Sequence, residues 1–352
     1  MRTSSFARLM LISGVLVVAC GLAEVRAQPA TLSGRVVDVE TGDPLAGVNV
    51  FLDQTTRGAA TNEDGRYTIE AVAPGSYRLV AYFVGYDMES VQVEVVPEMS
   101  SYETDIQLTP AILELDGVVV EGERPREWER DLQLFEQAFL GMSDNAEGTV
   151  ITNPYVLHFE SIGGNLVARS AAPLHVENRA LGYRLTIYMT YFNAGRWVSM
   201  GAAVQFEEME PAEAGEAQRW RRRRTETYEG SLTHLLRSLV AGTTRQEGFY
   251  VAHDVTLNFR MRRRMELGLV PFIEATDRPY LYRISLEHPL YVEFGREISW
   301  LIMQADEAIV HRDGYVYASA YEVAPISAHG ELGKRRIADL LPRDFGLNGA
   351  AQ

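Results

Sequence analysis

Two short segments carry the residue types of a metal or acid–base centre. His158-Phe159-Glu160 and His175-Val176-Glu177 each set an imidazole and a carboxylate two residues apart, and on a strand residues two apart share a face. Neighbouring strands in suitable register would gather two nitrogens and two carboxylates, donors suited to tetrahedral zinc. The competing reading is structural: Leu157, Phe159, Leu174 and Val176 form a buried face, and His158, Glu160, His175 and Glu177 the solvated one. A second chemistry is anion binding. Arg219, Trp220, Arg221, Arg222, Arg223 and Arg224 put five guanidinium groups around an indole, fit to contact an anionic glycan or a lipopolysaccharide phosphate while the ring stacks. Glu207, Glu208, Glu210, Glu213 and Glu216 come just before, so the run can equally be neutralised by its own surroundings. Arg260 and Arg262 to Arg264 form another basic cluster, read as outward residues of a strand.

Oxygen donors recur near the N-terminus at Asp38, Glu40, Asp43 and the turn Asn62-Glu63-Asp64. They suit calcium, although turn formation accounts for every one of them. Tyr82, Phe83, Tyr86, Tyr188, Tyr191, Phe192 and Trp197 are core aromatics by their alternation, with a sugar-stacking platform as the other reading. The chain has no Gly-x-Ser-x-Gly elbow, no phosphate loop, no His-Glu-x-x-His helix and, beyond Cys20, no cysteine. The expectation is a non-enzyme: no residue receives a catalytic or cofactor-binding role and no cofactor is assigned. A hydrolase whose groups assemble from distant positions remains the alternative.

The elements that would position these groups are mostly strands. From Thr31 to Gly122, apolar residues alternate at Val48/Val50/Leu52, Tyr77/Leu79/Ala81/Phe83 and Val91/Val93/Val95, between turns at Thr41-Gly42-Asp43-Pro44, Asn62-Glu63-Asp64-Gly65 and Pro74-Gly75. That spacing predicts a sandwich of about seven strands. A helix follows, with Trp128, Leu132, Phe135 and Phe139 on one face and Gly141 to end it. Farther on, Leu185/Ile187/Met189/Tyr191 and Val198/Met200/Ala202/Val204/Phe206 alternate cleanly. A second helix runs from an N-cap at Ser231 to Gly242, and a short terminal helix is expected near Lys334 to Leu341.

Five successive motifs carry a family resemblance: Ser33-Gly34-Arg35-Val36-Val37-Asp38, Pro44-Leu45-Ala46-Gly47-Val48-Asn49-Val50, Thr61-Asn62-Glu63-Asp64-Gly65-Arg66-Tyr67, Pro74-Gly75-Ser76-Tyr77 and Val84-Gly85-Tyr86. Together they resemble the carboxypeptidase regulatory-like domain. The resemblance implies a transthyretin-like sandwich without peptidase machinery, of the kind that precedes other modules in Gram-negative envelope proteins, outer-membrane transporters among them. The remainder resembles an uncharacterised region that accompanies this domain in bacterial envelope proteins, through Asn153 to Phe159, Asn178 to Tyr183, Tyr228 to Arg237 and Ala338 to Pro342.

Arg2 and Arg8 ahead of the apolar run Leu9 to Ala23 read as an export signal, cleaved before Gln28. The alternative is a lipobox at Val17-Val18-Ala19-Cys20-Gly21, which would make Cys20 a lipid anchor. No further stretch of membrane-spanning length follows, so the mature protein is expected to be soluble or lipid-tethered. A net charge of -15 over 352 residues disfavours nucleic acid or anionic lipid as a general partner. The expected organisation is a signal peptide at 1–27, a Greek-key transthyretin-like β-sandwich at 28–122 and a larger β-rich α+β domain at 123–352, mainly β throughout. The expected role is a non-catalytic binding or assembly module of the periplasm, outer membrane or cell surface that engages an envelope protein or glycan, with a hydrolase or a lipid-tethered scaffold or adhesin as alternatives.

Overall fold

Alternation along residues 30–108 folds them into two facing four-stranded sheets. The computed structural model describes residues 29–111, 126–258, 261–266, 273–317 and 324–346. The export segment, Cys20 and Arg260 lie outside these residues, as do the side chains of Arg262 to Arg264. The strands are β1 (Ala30–Asp38), β2 (Asn49–Leu52), β3 (Gly58–Ala60), β4 (Arg66–Val72), β5 (Gly75–Tyr82), β6 (Glu89–Val95), β7 (Ser101–Glu103) and β8 (Ile106–Leu108). One sheet runs β4-β1-β7 with β8 also on β1, and the other runs β3-β2-β5-β6. Alternate residues of β1 are buried along its whole length, and Leu32, Val36, Val50, Ile69, Leu79 and Ile106 fill the space between the sheets.

Helix α1 (Arg126–Leu140) stops where Gly141 takes a φ of 98°. A side chain there would strain the backbone and set a Cβ 2.5 Å from the Lys334 carbonyl. The helix lies on a sheet of β9 (Thr149–Ile151), β10 (Leu157–Ile162), β11 (Asn165–Ser170), β12 (Leu174–Asn178), β13 (Tyr183–Ala194) and β14 (Val198–Glu208). Strand β14 pairs with β13 along one edge. On the other edge of β13, β12 takes the start (Tyr183 to Ile187) and β11 the end (Phe192 to Ala194). Phe135, Phe139, Leu157, Leu185, Phe192 and Phe206 form the core between helix and sheet.

Next come α2 (Glu216–Tyr228) and α3 (Leu232–Ala241), the latter capped by the Ser231 hydroxyl, which accepts the His234 amide, and closed by Gly242 at a φ of 69°. Two further sheets follow. One contains β15 (Phe249–Asn258), β16 (Met261–Glu266), β19 (Leu290–Phe294), β20 (Glu297–Met303) and β23 (Ile326–Gly330). The other contains β17 (Ile273–Ala275), β18 (Leu281–Ile284), β21 (Ala308–His311) and β22 (Val316–Tyr317). Leu235, Leu236, Leu290, Leu301 and Val310 centre a third core, separate from the cluster between α1 and its sheet. In place of the expected terminal helix there is a single turn, α4 (Glu331–Lys334), and a 3-10 turn at Ile337–Asp339. The strap from Ile337 to Phe345 crosses back to the sandwich. The protein is mainly β, a sandwich followed by a β-rich α+β part.

Candidate functional site

The two His-x-Glu pairs do not meet. Phe159 registers with Ala168 and through it with Phe192, whereas His175 registers with Thr186. Those positions on β13 are six residues apart, about 20 Å of strand, so His158 and His175 cannot share an ion. Both histidines are exposed, and Glu177 pairs with Arg179 at 3.0 Å. Leu157, Leu174 and Val176 are buried as the structural reading required. Among the described residues no group of three or more His, Cys, Asp or Glu side chains is placed to hold a metal. Asp38 is a turn residue: it accepts the Glu40 and Thr41 amides and the Tyr86 hydroxyl, which together hold its carboxyl below the ordinary range.

The arginine run forms α2 and is divided by helical periodicity. Trp220 and Arg224, four apart, face inward. The indole packs on Gly182 and donates to the Arg179 carbonyl, so the expected exposed stacking ring is corrected to a packed one. Arg224 stacks 3.9 Å over Tyr183 and donates to the Leu181 and Gly182 carbonyls. Arg223 reaches Asn145, while Arg219, Arg221 and Arg222 are exposed. Arg224→Ala is therefore expected to cost about 2–3 kcal/mol through lost charged hydrogen bonds and packing. Replacing Arg219, Arg221 and Arg222 together should cost under about 1 kcal/mol. Urea denaturation of the two variants checks the contrast.

The polar centre that spacing did not reveal lies where the sandwich meets the rest of the chain. At the end of β2, Gln54 turns into a positive φ of 57°, a conformation that costs a non-glycine residue energy and persists only where surroundings enforce it. What enforces it is docking on β14: Gln54 donates to the Val204 carbonyl, Asp53 Oδ1 accepts the Val204 amide, and the Phe206 amide donates to Thr55. Phe51 and Val80 of the sandwich pack on Tyr188 and Ala203. Fully buried Asp53 accepts from Arg78 at 2.7 Å and from the Tyr315 hydroxyl at 2.9 Å. Burial and the Asp53 charge raise the Tyr315 hydroxyl far above its usual pKa, so it stays a donor. Alongside, Asp313 accepts a two-pronged contact from Arg343, at 2.8 and 3.1 Å, and its other oxygen lies 2.9 Å from His311 Nδ1. Burial alone would raise the Asp313 carboxyl, but His311 and Arg343 outweigh it and hold the group well below the carboxylate range.

Ser76, His311 and Asp313 have the composition of a nucleophilic triad, but their geometry is that of a support. His311 Nε2 faces the Ser76 backbone N–H at 3.4 Å, the Ser76 hydroxyl accepts from Gln92, and all three residues are buried.

Beside this network is a cavity of about 450 Å³, within the roughly 300–1,000 Å³ of small-ligand sites. The alternation of β14 builds one wall: Val198, Met200, Ala202 and Val204 line the cavity, while Ala203 faces the sandwich. Phe139 and Phe192 line it from α1 and β13, and the 337–345 strap closes the far side. Five arginines (Arg78, Arg237, Arg335, Arg336 and Arg343) and two aspartates (Asp313 and Asp339) are in the lining. Arg78 and Arg343 pair with aspartates, and Arg335 pairs with Glu297. Arg237 donates to three backbone carbonyls at 2.7 Å. Two buried polar atoms of lining residues make no hydrogen bond, Arg343 Nη1 and Asp339 Oδ2.

Residues 32–120 match the family model of the CarboxypepD_reg-like domain, so the resemblance carried by the five motifs holds across the sandwich. The TonB-dependent receptor P39 of Formosa agariphila is 32% identical over 121 residues, covering 34% of this chain and 11% of the receptor. Among solved structures, 5-hydroxyisourate hydrolase of Klebsiella pneumoniae is similar at 23% identity, covering 23% of this chain and 91% of that one with a TM-score of 0.21. The major pilin subunit BcpA of Bacillus cereus is similar at 10% identity, covering 24% of this chain and 31% of that one, also with a TM-score of 0.21.

Proposed function

We propose that the chain is a non-catalytic binding or assembly module of a bacterial envelope, joined to an envelope protein or glycan through its surface and holding a ligand in the cavity at the lobe junction. The observation that carries this reading is the cavity itself: the sandwich, the α1 sheet and the C-terminal part are tied together by hydrogen bonds of Arg78 and of buried Asp53 and Arg343 around a space that their own side chains leave unfilled. The regulatory-like sandwich, shared with a TonB-dependent receptor, supports the location. A hydrolase gains little from the buried and mutually satisfied Ser76, His311 and Asp313, and a tethered scaffold rests on Cys20.

Cross-linked capture from the native envelope, run in parallel with wild type and Ala202→Phe, tests the assignment. Ala202 shares its strand face with the other lining residues, so a phenyl group there enters the cavity. Wild type should recover one stoichiometric partner that binds the purified protein directly, and the variant should recover less of it wherever ligand occupancy and partner binding are coupled. Failure to recover any specific partner would count against the assembly role.

A further inference from the structure

The geometry points to an amphiphile with an anionic head and an acyl body as the ligand of the junction cavity, a carboxylate or phosphate held by Arg336 with its tail against Phe139, Phe192, Met200 and Leu232. This inference rests on the reading of the cavity as a ligand site. Arg336 lines the cavity half-buried, and no carboxylate among the described residues pairs with it; burial accordingly pulls its guanidinium below the ordinary value. A charge taken out of water without a partner is costly, and in a chain of net charge -15 carboxylates are plentiful elsewhere. Arg343 lies in the same lining with its charge already met: it is almost wholly buried, stacks over Tyr315 at 4.1 Å, and two of its nitrogens serve Asp313. With the Asp53 and Glu297 partners of Arg78 and Arg335 counted, the five lining arginines face four carboxylates, a small cationic excess. An oxyanion satisfies the Arg336 guanidinium through charge-assisted hydrogen bonds. The body of the ligand follows from the rest of the wall, which is mostly aliphatic and aromatic with Gln54, Ser231 and Thr233 as its neutral polar members. A peptide would bring amides that need partners, whereas an acyl chain brings none.

Titration calorimetry of the full chain with dodecanoate, dodecyl phosphate and dodecanol tests this, using wild type, Arg336→Gln and Ala202→Phe. Both anions should bind wild type at least about tenfold tighter than the alcohol, a difference of about 1.4 kcal/mol. Arg336→Gln should erase that preference while leaving the alcohol unchanged, and its melting temperature without ligand should not fall. The tighter of the two anions identifies the head. If the alcohol binds as well as the anions and all binding is lost in Ala202→Phe, the cavity is a ligand site but the anionic class is wrong. If binding ignores both substitutions, the cavity reading falls with it. A blocked dipeptide ending in leucine-phenylalanine carboxylate that outcompetes dodecanoate would overturn the acyl body. Circular dichroism melts establish that each variant is folded, and Met200→Trp gives a second way to fill the cavity.

Discussion

Asp313→Ala should remove about 3–5 kcal/mol of stability, because it leaves the Arg343 guanidinium buried with no counter-charge. The same substitution strips His311 of its carboxylate partner and loosens the strap, whose Arg343 amide donates to Gln54 at the docking turn. Guanidinium denaturation of wild type and variant measures the loss. Its pH dependence has a definite sign. The folded carboxyl titrates well below its unfolded value, so it contributes stability at every pH above the ordinary carboxylate range of about 4. The contribution is lost as pH falls from there through the depressed folded value. The gap between wild type and variant should therefore be flat from pH 7 to pH 5 and shrink in stronger acid. A gap that shrank between pH 7 and pH 5 would mean that another group carries the coupling.

Phe135→Ala should cost a similar amount, about 3–5 kcal/mol, through lost apolar burial and the hole left behind. Phe135 is fully buried, with its ring centroid 4.7 Å from those of both Phe139 and Phe192. Both neighbours line the cavity, so the variant should also weaken ligand binding without touching a polar group. Leu134, one position away and 50% exposed, serves as the control: Leu134→Ala should stay within about 0.5 kcal/mol of wild type. Equal losses at the two positions, read from urea midpoints at constant m, would contradict the placement of α1.

Much of the scaffold was legible because it obeys local rules. The helical stripe of Trp128, Leu132, Phe135 and Phe139 ending at Gly141 became α1, and the span from Ser231 to Gly242 became α3 with both caps. Period-two alternation from Leu185 to Tyr191 and from Val198 to Phe206 falls inside β13 and β14. Helix α2 was harder to read, because Trp220 is its one large apolar residue between Glu216 and Thr227 and its inward face is completed by an arginine. The junction was not legible at all. Asp53, Arg78, Asp313 and Arg343 are spread over nearly the whole folded chain, and each looks like an ordinary surface charge until tertiary structure buries it. The sequence motifs instead drew attention to His158, His175 and the arginine run, whose geometry fits solvated strand faces and helix packing. One signal did point the right way: the alternation of Val198, Met200, Ala202 and Val204 marked an inward face. It could not show that this face borders a cavity rather than a filled core.

A ligand site at the junction must hold a molecule in the protein's own envelope. Native mass spectrometry of the chain isolated from its own envelope, beside Ala202→Phe isolated in the same way, measures this directly. The expected result is a non-covalent adduct on wild type that acid releases as an anionic amphiphile and that is missing from the folded variant. A bare wild-type chain, or an adduct retained in full by Ala202→Phe, would contradict it.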